Sequence, residues 1–89
     1  MSTTKISPAR ALILESLIAE IEAVTGHRDH LQELAKRLAA EQGLKLVFQG
    51  GTHVARMRGV SASNTAGDMQ ALEAWARAAR RALLNAGAA

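Results

Sequence analysis

Three histidines are the side chains of this 89-residue sequence best suited to metal binding or proton transfer. His27 and His30 lie on either side of Asp29, a spacing that can bring two imidazoles to one divalent cation. No further ligand is close in sequence, however, and zinc sites in proteins use three or four protein ligands. We therefore predict surface residues at a helix start, no metal site and no cofactor. His53 is the remaining candidate for a catalytic acid or base.

Basic side chains are the second group of candidate functional residues, because an arginine guanidinium can hold a phosphate through two hydrogen bonds. The chain has two aromatic residues, Phe48 and Trp75, and both are expected in the core. Without an aromatic platform for unpaired bases, contact with the backbone of duplex nucleic acid is the form of binding that we predict. The predicted nucleic-acid-binding residues are Lys45, Arg56, Arg58, Arg77, Arg80 and Arg81.

Charge is distributed unevenly along the chain. Up to Gly43 there are five Lys or Arg residues and six Asp or Glu residues, whereas from Leu44 onward there are six basic and two acidic residues. A basic second half favours a polyanion or an acidic protein as partner. The alternative is an ordinary solvated surface.

The stretch from Gly43 to Val60 must position several of these residues. Gly50-Gly51 separates two short β-like runs, and two glycines are typical of a two-residue hairpin loop because glycine adopts positive φ without strain. Such a loop fixes the register, so that Lys45 lies opposite Arg56. The alternation predicts a core face of Leu44, Leu46, Phe48, His53, Ala55 and Met57, and a solvated face of Lys45, Val47, Gln49, Thr52, Val54, Arg56 and Arg58.

Three segments with helical periodicity surround this hairpin, at about 8–25, 30–42 and 66–84. Ser7-Pro8 is a typical helix start. Residues 60–64 are small and polar and are predicted to form a loop. The predicted fold is one α+β domain over residues 7–84 with the order α-α-β-β-α, its helices packed on one face of an antiparallel β-hairpin. Residues 1–6 are expected to be disordered and residues 85–89 to fray.

The first helix, residues 8–25, is more apolar than one small hairpin requires. Leu12, Ile13 and Ile18 widen its apolar stripe. Two interpretations stay open: this helix is central and covered by the other two helices, or it forms a homodimer or docks on a protein partner.

The segment Gly43–His53 resembles the strand-turn-strand of the HicA-like toxins, which have a double-stranded-RNA-binding-like fold. Gly51, Thr52 and His53 match that family's Gly-Ser/Thr-His element, whose histidine serves in RNA cleavage. The resemblance implies ribonuclease activity with His53 as the catalytic residue. The predicted elements depart from the family in having an extra N-terminal helix and no third strand after Arg58.

The stretch Arg58–Gly67, followed by a helix with Trp75, is similar to small accessory proteins of temperate phages and mobile elements. The chain lacks cysteine, and acidic residues interrupt its early apolar run, so we expect a cytoplasmic protein without a membrane segment. The sequence thus predicts a small non-enzymatic accessory or regulatory protein that binds duplex nucleic acid. A protein-interaction module and a HicA-like ribonuclease are the alternatives.

Overall fold

The structure, a computed structural model, describes residues 6–87. The predictions of disorder and fraying therefore fall outside the described residues at positions 1–5, 88 and 89. The α+β class is confirmed, with three strands rather than two and the helices on one face of the sheet. The elements are α1 (Pro8–Ala23), α2 (Arg28–Glu41), β1 (Lys45–Gln49), β2 (Thr52–Met57), β3 (Val60–Asn64) and α3 (Asp68–Gly87).

Local side-chain chemistry explains where two of the helices begin. At α1 the Ser7 hydroxyl accepts a hydrogen bond from the Arg10 backbone N–H at 3.2 Å, as the Ser-Pro signal predicts. At α3 the predicted start at Ala66 is two residues too early. The Asn64 side chain accepts from the Ala66 N–H at 2.8 Å and holds the chain in a turn, so that the helix begins at Asp68.

The other helix ends differ from prediction by a few residues. The second helix, α2, begins at Arg28 instead of residue 30 and has no side-chain cap, and α1 ends at Ala23, two residues early. The third helix, α3, continues to Gly87, three residues beyond its predicted end at Leu84. None of these shifts moves a helix to another face of the sheet.

The predicted hairpin and its register are confirmed. Gly50 and Gly51 have φ values of +56° and +82°, as a two-residue hairpin loop requires. Gln49 lies opposite Thr52, and Lys45 lies opposite Arg56.

The predicted loop at residues 60–64 is wrong, because Val60–Asn64 forms β3 and pairs antiparallel with β2. A second two-residue turn connects them, with Arg58 at φ +53° and Gly59 at φ +78°. The side chains of β3 then alternate as in a half-buried strand: Val60 and Ala62 pack against the core, whereas Ser61 and Ser63 are exposed.

One buried side chain of α3, Trp75, is hydrogen-bonded to the β2–β3 turn. Trp75 of α3 is fully buried, and its indole N–H lies 3.1 Å from the Met57 carbonyl and 3.0 Å from the Val60 carbonyl. Because these carbonyls flank the β2–β3 turn, the tryptophan holds α3 against both strands. The same helix also packs against α1.

The wide apolar stripe of α1 is accounted for largely by burial within the helical layer. Leu14, Leu17, Ile18 and Ile21 are all buried, and Ile13 packs against the core cluster. Leu12 is 68% exposed. Most of this stripe is therefore covered within one chain, but the central helix is α3, which contacts α1, α2 and all three strands.

Phe48 was predicted in the core and is instead 65% exposed. It does lie on the helix-facing side of the sheet, as the alternation requires, since its cross-strand neighbour is His53 and the next pair on that face includes buried Ala55. However, α3 lies mainly over β2 and β3 and makes little contact with β1. The turn end of β1 is consequently left uncovered.

Replacing Trp75 with phenylalanine should lower the free energy of unfolding by about 2 kcal/mol or more. The change removes the donor to two carbonyls in the interior and leaves part of the indole volume empty. Urea denaturation followed by circular dichroism measures the loss. Leu84→Ala, at a side chain of the same helix that is 66% exposed, should change stability by no more than about 0.5 kcal/mol. Equal stabilities of the two variants would contradict the assigned role of Trp75.

Candidate functional site

The sheet has one face that no helix covers, which we call the open face. Arg56 lies between Ala55 and Met57, which are both buried against the helices, so its side chain points to the opposite side. Lys45 is its cross-strand neighbour on β1, and Ser61 is its neighbour on β3. The open face consists of Lys45, Val47, Gln49, Thr52, Val54, Arg56, Ser61 and Ser63.

The open face has no acidic residue. Between Glu41 and Asp68 the sequence contains neither aspartate nor glutamate, and this interval includes the whole sheet. Lys45 and Arg56 are both exposed, and two like charges directly opposite each other in a sheet are unfavourable. An anion bound between them would remove this repulsion.

Several cations of the helices, by contrast, are paired with carboxylates. Arg37 contacts Glu20 of α1 and lies 3.6 Å from Glu41, and the hydrogen bond and charge of Glu20 raise the pKa of Arg37. Lys36 lies 3.5 Å from Glu33. Among the described residues no carboxylate lies within 4 Å of Lys45 or Arg56. The positive charges of Lys45 and Arg56 on the open face are therefore available to interact with solvent or a ligand.

Arg58 was predicted on the solvated face with Arg56, but it lies in the turn after β2. Its guanidinium donates to Oε1 of Gln42 from Nε at 3.0 Å and from Nη2 at 2.5 Å. Its carbonyl accepts from the Arg10 guanidinium at 2.7 Å. The alternation of side chains between the two faces of β2 ends at Met57, where the two-residue turn begins. Arg58 therefore does not join the open face and is bonded to Arg10 and Gln42 instead.

The three arginines of α3 lie in the helical layer, on the other side of the sheet from the open face. Arg77, Arg80 and Arg81 are all exposed. Arg80 is bonded to Glu22 of α1, with Nη2 at 2.5 Å from Oε1. The six predicted nucleic-acid-binding residues are therefore in three places, and only Lys45 and Arg56 are adjacent on the open face.

His53 has a carboxylate partner that the sequence did not suggest. Its Nδ1 lies 2.7 Å from Oδ1 of Asp68, at the start of α3. The imidazole also packs on Phe48, with ring centroids 4.7 Å apart. The pair borders a cleft of about 400 Å³ whose lining includes Arg28 and Gln32 of α2. The third strand turns the chain back toward His53 and brings Asp68 to it, although the two residues are 15 positions apart in the sequence.

The other two histidines lie at the start of α2. His27 and His30 are exposed, and their rings meet edge to face with centroids 5.9 Å apart. In the described part of the chain no three His, Asp or Glu side chains are grouped so as to hold a metal ion. Within residues 6–87 no helix combines the length and apolarity needed to cross a bilayer.

The hydrogen bond to Asp68 should place the proton of neutral His53 on Nδ1. Nitrogen-15 NMR of the imidazoles measures this tautomer at a pH where the rings are neutral. His27 and His30 serve as controls in the same spectrum, because no carboxylate contact involves either of them among the described residues. In Asp68→Ala the His53 signals should move toward theirs. Identical His53 signals with and without Asp68 would contradict the contact.

Comparisons with known proteins do not suggest a function for this chain. Neither a protein-family model nor a curated protein nor a solved structure matches the chain. The charges, contacts and uncovered surfaces described above are therefore the grounds on which a function can be argued.

Proposed function

We propose that the protein is a small accessory factor that binds duplex nucleic acid through the open face of its sheet. The observation that carries the proposal is the adjacent pair Lys45 and Arg56 on a face without any carboxylate. A face of this charge attracts a polyanion, and each phosphate neutralised releases counterions into solution.

The neutral side chains of the open face also suit phosphate oxygens. Serine, threonine and glutamine side chains donate hydrogen bonds to nucleic-acid phosphates together with lysine and arginine. On the open face Gln49 and Thr52 are cross-strand neighbours, and Ser61 lies beside Arg56. Every polar side chain of this face is thus of a type that can donate to phosphate.

The absence of aromatic residues from this face favours a duplex over a single strand. Binding of unpaired bases relies on stacking against aromatic rings. Val47 and Val54 occupy the centre of the open face, whereas Phe48 lies on the opposite side of the sheet and Trp75 is buried. Contacts to the phosphate backbone do not distinguish base sequences directly, so we expect weak sequence preference.

The double variant Lys45→Gln/Arg56→Gln should lose most of its affinity for a generic duplex and flatten its salt dependence. Two lost phosphate contacts reduce the slope of log K against log salt by about 2. Fluorescence anisotropy with labelled duplex DNA and duplex RNA over a salt series measures both quantities. The wild-type affinity should fall steeply as salt rises.

The matched control is Arg77→Gln/Arg81→Gln, which removes the same charge from exposed positions of α3. It should bind almost as wild type, apart from a small effect of net charge. A wild-type affinity that does not depend on salt would overturn the proposal. Equal losses in the two double variants would show that net charge, and not the open face, is responsible.

Ribonuclease activity is a second candidate function, and the contact between His53 and Asp68 favours it. With Nδ1–H donated to the carboxylate, Nε2 carries the lone pair that can take a proton from a ribose 2′-hydroxyl. Arg28 in the same cleft could stabilise charge on a phosphate. The resemblance of Gly51, Thr52 and His53 to the HicA-like toxins supports this proposal. The lack of a third strand after Arg58 was one predicted difference from that family, and the presence of β3 removes this difference.

If RNA is cleaved, His53→Ala should abolish cleavage and Asp68→Asn should slow it by about 10-fold or more, since the imidazole loses its orienting partner. Gel analysis of a labelled RNA incubated with purified protein measures the rate. His30→Ala, which alters an exposed imidazole outside this contact, is the control. Cleavage that survives His53→Ala belongs to another site or to a contaminant, and would eliminate this candidate.

A further inference from the structure

The first strand, β1, is an edge strand, because the order in the sheet is β1-β2-β3. In a two-residue hairpin the residues flanking the loop exchange both backbone hydrogen bonds, and bonded and non-bonded pairs then alternate. Gln49, Val47 and Lys45 therefore direct their backbone groups to β2. Leu46 and Phe48 direct theirs to the open edge, where no other backbone group is bonded to them among the described residues.

This edge exposes one large apolar side chain on each side of the sheet. Phe48 is 65% exposed on the helix-facing side, and Val47 is 39% exposed on the open face. The opposite edge differs, since β3 directs the backbone of Ser61 and Ser63 outward and exposes their hydroxyls. An exposed apolar edge strand with unpaired backbone groups is a template for pairing with another strand.

We propose that β1 pairs antiparallel with β1 of a second copy of this chain, in a register centred on Val47. Leu46 of each copy then lies opposite Phe48 of the other. Since these are the residues with outward backbone groups, the two pairs form four hydrogen bonds. The result is a six-stranded sheet across a two-fold axis, in which all five residues of β1 are paired.

The side chains of β1 fit a second copy in this register. Lys45, the one charged residue of the strand, lies opposite Gln49 of the other copy, so that no like charges face each other. Val47 meets Val47 on the open face. On the helix-facing side the exposed Phe48 packs on the partly buried Leu46 of the other copy. A shift by two residues in either direction would leave part of the strand unpaired.

This dimer uses β1 and not α1, whose apolar stripe is mostly buried within the chain. It does not depend on nucleic-acid binding, and failure of either proposal leaves the other standing. If both hold, the open faces of the two copies are continuous across the axis. Lys45 and Arg56 of both copies then lie on one surface.

Engineered cysteines test the register, because the natural chain has none. In Val47→Cys the two thiols would lie opposite each other in a non-hydrogen-bonded pair, within the range that a disulfide spans. In Gln49→Cys the equivalent residues would be about 13 Å apart along the strands, which is too far. Mild oxidation should convert Val47→Cys to a covalent dimer and leave Gln49→Cys monomeric on a non-reducing gel. Equal cross-linking of the two variants would overturn the register.

Proline variants test the edge itself. Phe48→Pro removes an outward N–H and the exposed ring without removing a hydrogen bond to β2, and proline is tolerated at such edge positions. Ser63→Pro makes the same backbone change on the opposite edge. Sedimentation equilibrium should show a dimer for wild type and Ser63→Pro and a monomer for Phe48→Pro, with circular dichroism confirming that each is folded. A wild-type monomer at the highest attainable concentration, or a Phe48→Pro dimer, would overturn the proposal.

Discussion

The hydrogen bonds of the Trp75 indole to the β2–β3 turn are the contact on which the remaining arrangement depends. They fix α3 on one face of the sheet, with the Met57 and Val60 carbonyls as acceptors. Because α3 is the helix that contacts all three strands and α1 packs against α3, the helices gather on one face of the sheet and the second face receives none. The polar side chains that alternate with buried Ala55 and Met57 must then face solvent. The functional proposals concern the surfaces that this one-sided packing leaves uncovered.

One-sided packing also separates the charges of the molecule. Every acidic residue of the chain lies in a described helix, and contacts such as those of Glu20 with Arg37 and Glu22 with Arg80 keep much of the helical charge balanced. The sheet contributes cations without carboxylates. A net charge of +3 over the whole chain therefore understates the positive character of the open face. Such a surface provides electrostatic attraction for a polyanion, while exposed ion pairs on the helices add little stability of their own.

Much of the fold was predictable from local patterns. The Gly50-Gly51 loop fixed the β1–β2 register, and the Ser7-Pro8 signal located the first helix. The third strand was missed because a left-handed Arg58 is uncommon and because small residues give a weak strand signal, although V-S-A-S-N does alternate. The exposure of Phe48 and the contact between His53 and Asp68 depend on how the helices lie over the sheet. Tertiary packing of this kind cannot be obtained from periodicity along one segment.

The proposed nucleic-acid contact and the proposed dimer both use the sheet, through the open face and the β1 edge, and neither uses the exposed side of the helices. Titration of isotopically labelled protein with a short duplex, followed by amide NMR shifts, identifies the surface that binds the duplex. The shifts should be concentrated at the open face, at residues such as Lys45, Thr52, Arg56 and Ser61, with the exposed side of α3 unchanged. Shifts concentrated on α1 or α3, or no shifts at low salt, would contradict binding through the open face.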